Sequence, residues 1–136
     1  MGAKLAEFRL NSYAFTKAHL DLSEKQMQLD LSFEPSGVFY KTDKFYELNL
    51  VFRAVDCNTE KIIVETECKA QYEFRNDIGF EQIPDFFFAN SIAIIFPYIR
   101  AFVSTLTLQA NVVPIVLPTL NLTPLSQQLK TNTSVK

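Results

Sequence analysis

The chain has 136 residues, enough for one domain with a core of its own and too few for two. Hydrophobic residues make up 48% and charged residues 21%, which excludes a disordered chain; thirteen phenylalanines and no tryptophan are rings without a polar handle, calling for burial or an apolar partner. The net charge is −2 and the basic residues are scattered, with no basic stripe or arm, so nucleic acid is not expected as a partner.

At the N-terminus, Glu7 and Arg9 interrupt the place where the apolar core of a secretory signal would lie. The longest greasy stretch, Ile92 to Val103, is broken by Pro97 and Arg100 and reads as too short to span a bilayer. A cytoplasmic protein with no direct membrane insertion is the expectation. Phe8, Leu10 and Ala14 point one way, with Glu7, Arg9 and Asn11 between them, giving a first strand. Met27, Leu29, Leu31 and Phe33 alternate with Gln28, Asp30 and Ser32 in a second, which leads into turn material at Pro35-Ser36-Gly37.

Tyr46, Leu48, Leu50, Phe52 and Ala54 form the apolar side of a third strand. Asp56-Cys57-Asn58-Thr59 is a short turn, making a hairpin with a fourth strand. That strand turns Ile62, Val64, Thr66, Cys68, Ala70 and Tyr72 inward and Glu65, Glu67, Lys69, Gln71 and Glu73 outward. Such alternation marks a sheet wet on one face, which favours antiparallel pairing.

From Ser91 the period changes. Ile95, Tyr98, Ile99, Phe102, Val103, Leu106 and Ala110 make a helical stripe. Pro97 predicts a helix that starts near Ala93 or kinks there, and Phe86 to Phe88 read as a loop or a short preceding turn. The opposite face holds Arg100, Ser104 and Thr107, flanked by Ala101, Thr105 and Leu108, with one charge over about three turns. Both faces therefore read as buried, the second either under the last segment of the chain or in helix-on-helix packing between subunits. Residues 112–118 are apolar and proline-studded, an extended loop; Thr123-Pro124 reads as N-cap and first residue of a short helix carrying Leu125 and Leu129. Residues 131–136 are polar and predict a flexible tail after a single domain over 1–130.

No catalytic chemistry emerges. His19 has no cysteine or histidine at ligand spacing, and three glycines, Gly2, Gly37 and Gly79, make no phosphate loop, so neither a metal nor a cofactor is expected. Glu65, Glu67 and Glu73 read as a solvated face beside Lys69. Cys57 and Cys68 lie too far apart along an extended hairpin for a bridge, which fits a reducing compartment.

Two segments carry a resemblance. Phe96-Pro97-Tyr98 with Arg100, followed by Leu117-Pro118-Thr119-Leu120-Asn121-Leu122-Thr123-Pro124, is similar to the SecB family of preprotein chaperones. That family has a phenylalanine-proline-tyrosine step and a proline-x-leucine-asparagine-leucine-x-proline segment in this order; Tyr46-Glu47 and the acidic Glu65 also match. The resemblance implies an α+β fold, a four-stranded antiparallel sheet followed by a long helix and a short C-terminal one. It implies a homotetramer, a dimer of dimers, whose long helices lie between layers of sheet, with Tyr98, Arg100, Ala101, Ser104, Thr105, Thr107 and Leu108 at the interface. The implied activity is ATP-independent holding of unfolded or nascent polypeptides for export; the alternative is a chaperone dedicated to one partner, such as the antitoxin of a toxin–antitoxin system. The client groove would lie between Leu20, Leu22 and Met27 on one wall and Leu125 and Leu129 on the other, with Phe39 and Tyr40 as an aromatic end. Glu65 and Glu67 would meet the export motor SecA. That contact is expected to be weakened, because Thr16 and Leu20 stand where export members carry acids and the sequence ends Thr133-Ser134-Val135-Lys136 without an acidic tail.

Overall fold

The computed structural model describes residues 8–22, 28–75 and 78–136. In chain order it contains β1 (Phe8–Leu20), β2 (Leu29–Tyr40), β3 (Phe45–Asp56), β4 (Ile62–Phe74), a single 3-10 turn (Phe80–Gln82), α1 (Phe86–Gln109), α2 (Leu122–Thr131) and β5 (Thr133–Val135). The sheet order is β1-β4-β3-β2-β5, antiparallel among the four long strands. The α+β architecture is the one the sequence predicts, with a fifth strand added.

β3 shows why alternation suffices where nothing interrupts it. Tyr46, Leu48, Leu50, Phe52 and Ala54 are all buried on one side, while Glu47, Asn49, Val51 and Arg53 lie half-exposed on the other. β1 departs from that simplicity. Its pairing with β4 slips at Asn11 and again at Thr16, each an extra unpaired residue. The two bulges reset the alternation, so that Phe8, Leu10, Tyr13, Phe15, Ala18 and Leu20 share the inner face opposite Phe74, Tyr72, Ala70, Cys68, Thr66 and Val64. Ala14, which simple alternation sets beside Phe8 and Leu10, instead faces outward opposite Lys69. A third irregularity, between Ala54 and Val55, exposes Ile62 and buries Ile63 in its place.

β2 runs straight through Pro35-Ser36-Gly37, where local residue type predicts a turn. Tertiary packing explains both residues. A Cβ on Gly37 would fall inside the hydroxyl and ring of the fully buried Tyr46, so the close approach of that ring demands glycine. Pro35 lies next to the sheet margin, where a missing N–H breaks no ladder.

Phe86 to Phe88 are the first turn of α1, a 24-residue helix that carries Pro97 in its interior. Phe87 is the hub of the core, its ring centroid 4.7 Å from Phe8, 4.9 Å from Tyr46 and 5.0 Å from Phe74. Each such ring pair adds about 0.5–1.5 kcal/mol beyond the area it buries. Pro97 sits on the exposed side, so the carbonyl it leaves unpaired four residues back, on exposed Ala93, faces water. By length and composition α1 would suffice to cross a bilayer, contrary to the shorter stretch read from the sequence. Its inner face, from Phe87 through Ile92, Ile95 and Ile99 to Val103, is buried against the sheet.

α2 starts two residues ahead of the Thr123-Pro124 signal. Asn121 is its N-cap, with Oδ1 accepting from the Thr123 N–H at 3.3 Å, and Pro124 falls in the first turn, where no N–H is needed. After it the predicted flexible tail is a strand: Thr133, Ser134 and Val135 pair in parallel with Gly37, Val38 and Phe39. Tyr46 Oη lies 2.6 Å from Thr133 Oγ1, which in turn donates to the Leu129 carbonyl at 2.7 Å, fastening β5 to the core.

Candidate polypeptide-binding surface

On its outward side α1 leaves Ile94, Tyr98, Ala101, Thr105 and Leu108 exposed. Their spacing of four, three, four and three residues is that of a helix-packing seam. Tyr98 also stacks on Tyr13 at 4.4 Å, Phe102 stacks on Phe15 at 3.9 Å, and the Arg100 guanidinium lies 4.8 Å over the Phe96 ring. α1 is thereby clamped along β1. Thr107 does not belong to the outer face. It is fully buried, donating to the Val103 carbonyl and accepting from the Ile115 N–H, both at 3.0 Å. Ser104, half-buried, donates to the Ile115 carbonyl at 3.0 Å. The loop after α1 therefore folds back over part of the face, as one of the two sequence alternatives has it, and leaves the seam beside it open.

That loop is itself apolar. Val113 is 87% exposed and Val116 73%, next to Leu108 at 60%, whereas Leu117 between them and α2 is buried as an anchor. Large apolar groups this exposed, clustered on one helix end and its loop, make a candidate surface for a partner. The sequence pattern flags the stretch only as an extended loop; its signal is five aliphatic residues, Val112, Val113, Ile115, Val116 and Leu117, interleaved with Pro114 and Pro118.

The residues named for a groove do not converge in one chain. Leu20 and Leu22 are half-buried where the chain leaves β1, just before and after the Asp21 N–H that donates to the Ile63 carbonyl at 2.8 Å. Met27 lies outside the described residues. Leu125 is half-buried on α2, but Leu129 is fully buried in the core. α2 packs on α1 and β2, whereas β1 is the opposite margin of the sheet, with β4 and β3 between. Phe39 and Tyr40 are successive residues of one strand and so point to opposite faces. Phe39 is buried with Phe74 and Phe80, while Tyr40 lies on the outer face stacked on Phe45 at 4.5 Å.

The outer face of the sheet is charged and paired. Glu65 is not solvated as its alternation suggests but buried, with Lys17 Nζ at 2.5 Å and Arg53 Nε at 2.6 Å; Arg53 also reaches Glu34 at 2.7 Å. The ladder Glu34–Arg53–Glu65–Lys17 thus crosses all four long strands with alternating sign. The Lys17 ammonium, then the Arg53 guanidinium, hold the Glu65 carboxyl below the usual carboxylate range. A general acid needs the opposite shift, so this carboxylate serves cohesion rather than proton transfer. Glu67 is half-buried on the same face, and the Thr16 hydroxyl donates to its carbonyl at 3.4 Å. Burial pushes the Cys68 thiol up to about 11, which keeps it protonated and unreactive. Among the described residues no three His, Cys, Asp or Glu side chains are grouped to hold a metal ion.

No family model matches the chain. A stretch of 41 residues is 46% identical to an uncharacterised protein of Methanocaldococcus jannaschii; it covers 30% of this chain and only 26% of that protein. Among solved structures, the fold is similar to a Mycobacterium tuberculosis SecB-like chaperone in complex with a ChAD peptide from the HigA1 antitoxin, with a TM-score of 0.69 and 16% identity over 85% of this chain and 88% of that one. The chain has a SecB-like fold, as the phenylalanine-proline-tyrosine and proline-rich segments imply.

Proposed function

We propose that this chain, built on a SecB-like fold, is an ATP-independent holdase that binds unfolded or nascent polypeptides and keeps them from aggregating. One observation carries the reading: such a fold here leaves the loop after α1 apolar and in water, around Val113 and Val116. A chaperone that holds unrelated chains needs exposed apolar surface, and an exposed aliphatic loop suits that better than a closed pocket. The reaction is binding alone, with no cofactor.

Four copies complete the proposal. The seam Ile94–Tyr98–Ala101–Thr105–Leu108 supports helix-on-helix packing between subunits in a dimer of dimers, with Arg100 and Ser104 at its margin. Residues 112–116 then stay accessible, and half-buried Leu20, Leu22 and Leu125, apart from one another within one chain, are retained as further client-binding side chains. A cytoplasmic location suits the exposed Cys57 thiol.

Suppression of aggregation of a thermally unfolded reporter enzyme, without nucleotide, tests the reading. Light scattering by the reporter should fall to background near one tetramer per client chain. Unchanged aggregation at tenfold excess would overturn it.

A narrower variant, a chaperone dedicated to one partner such as an antitoxin, is favoured by the peptide in the similar mycobacterial structure. Client breadth separates the two: binding to many unrelated unfolded proteins supports the general holdase, binding to one supports the dedicated form. Delivery to SecA should be weak in either case, because Glu65 is committed to Lys17 and Arg53, leaving Glu67 as the main acid on offer.

A further inference from the structure

The loop between α1 and α2 is held by two hydroxyls one turn apart on α1. The Ile115 N–H donates to Thr107 Oγ1 at 3.0 Å, and Ser104 Oγ donates to the Ile115 carbonyl, also at 3.0 Å. Residues three positions apart share a helix face, so both hydroxyls meet the loop together. The proton of the Thr107 hydroxyl is already given inside the helix, to the carbonyls of Val103 at 3.0 Å and Ser104 at 3.2 Å. Thr107 Oγ1 can therefore only accept from the loop, and Ser104 supplies the donor that the Ile115 carbonyl needs. One loop residue thus has both backbone groups met, as in a sheet, but by side chains.

This clamp works against the hydrophobic effect. An aliphatic loop left to itself would fold its side chains onto the nearest apolar surface. Here Ile115 and Leu117 turn inward, half-buried and buried, while Val116 between them is turned out to water, as alternation in an extended segment requires. Val113 is out as well, and Pro114 and Pro118 fix φ on either side of the inward pair. The Val112 N–H, bonded to the Thr107 carbonyl at 3.3 Å, ties the start of the loop to the same residue.

We propose that Ser104 and Thr107 are positioning residues for client capture: by holding Ile115 they keep Val113 and Val116 presented to an apolar segment of an unfolded chain. The inference rests on the holdase reading and assigns the residues that shape its binding loop. A client arrives disordered and must lose its own conformational freedom on binding; a loop ordered beforehand adds no second loss of that kind. Thr107 is fully buried within one chain, out of a client's reach, so its effect must pass through Ile115.

The test uses the full chain and fluorescein-labelled, reduced and carboxymethylated α-lactalbumin, a permanently unfolded probe, read by fluorescence anisotropy. Thr107→Val keeps the shape and removes the acceptor, leaving the Ile115 N–H unmet; Thr107→Ser keeps the hydroxyl and removes the methyl. Thr107→Val should speed amide exchange at Ile115 and weaken probe binding about tenfold, the factor one hydrogen bond can set on the share of correctly placed loops. Thr107→Ser should stay within about twofold of wild type on both measures. In a Val113→Ser/Val116→Ser background, itself a weaker binder, Thr107→Val should add less than about twofold, because the side chains it places are gone. If Thr107→Val does not fold, Ser104→Ala takes its place, with an expected loss of about threefold, and unchanged binding there overturns the proposal. Equal loss in Thr107→Ser and Thr107→Val would assign the effect to packing and overturn it too. So would a Thr107→Val chain whose Ile115 amide exchanges faster but which binds like wild type, or an undiminished loss in the background without the valines. Each of these leaves the holdase reading standing. A wild-type chain that neither binds the probe nor suppresses aggregation overturns both.

Discussion

Gly37→Ala isolates one packing contact from the backbone conformation around it. Gly37 has no positive φ, so alanine can adopt its backbone without strain, and alone that would stabilise by about 0.4–1 kcal/mol through the unfolded chain. The new methyl, however, would coincide with the Tyr46 hydroxyl and the ring carbon that bears it. Tyr46 is fully buried and meets Phe87 at 4.9 Å and Phe88 at 6.3 Å, so its ring has nowhere to retreat. Overpacking of this kind costs about 1–3 kcal/mol. Displacing the hydroxyl from Thr133 Oγ1 costs about 1 kcal/mol more. The clash outweighs the entropic gain, leaving a net loss of about 2–3 kcal/mol, or a fall in melting temperature of roughly 10 °C for a chain of this size. Thermal denaturation at fixed protein concentration reads it, and exchange at the Lys136 amide, which bonds to Phe39, should speed up as β5 loosens. Tyr46→Phe should cost about 1 kcal/mol alone and less in the Gly37→Ala background, where the hydrogen bond is already gone. A variant melting within about 2 °C of wild type, or strictly additive effects of the pair, would refute the packing account.

Leu129→Ala should lose about 2–5 kcal/mol in chemical denaturation, since the side chain is fully buried, whereas Leu125→Ser, half-buried, should leave the fold intact and weaken client capture. Glu65→Gln should destabilise by about 1–2 kcal/mol, discounted for the partial exposure of Lys17 and Arg53. Because the folded carboxyl titrates below its ordinary 4.5, its contribution is fully present above that value and is lost as pH falls through the folded one; acid titration of the wild type should show this loss, and Glu65→Gln should flatten it. Leu108→Glu with Ala101→Glu should reduce the light-scattering mass from four times the 15.6 kDa chain to a smaller species, with helix content unchanged by circular dichroism; a mass that stays at four chains would remove the seam from the assembly.

The legible parts of this fold are those where one rule acts alone. β3 and the core of β4 are read from alternation because apart from one slip near Ile62 nothing breaks their phase. β1 is harder, since extra residues at Asn11 and Thr16 hide an apolar side that is regular in space but not in sequence. Pro35 and Gly37 look like a turn because their local preferences are strong; a distant tyrosine ring and the margin of the sheet decide otherwise. Three residues at the end of the chain carry too little pattern to announce β5, whose partner is nearly a hundred residues away. On the candidate surface the spacing sets Ala101, Thr105 and Leu108 beside the outer face of α1, but it also puts Tyr98 in the inner stripe and Thr107 on the outer face; Tyr98 is exposed, and the inward turn of Thr107 depends on where the loop at Ile115 lands. Glu65 looks solvated from alternation alone, and its burial follows from two cations on neighbouring strands.

The bulges of β1 bear on solubility. Without the bulges, Asn11 and Thr16 would each throw β1 out of phase with β4; with them Phe8, Leu10, Tyr13, Phe15, Ala18 and Leu20 stay inward. They also bend the free margin and take two steps out of its hydrogen-bonding rhythm. Bulges of this kind make a margin a poorer template for a sheet from another molecule, and fibres grow by such templating. A holdase of the proposed kind, sticky toward unfolded chains, would in this way keep one long edge ill suited to templating its own polymer.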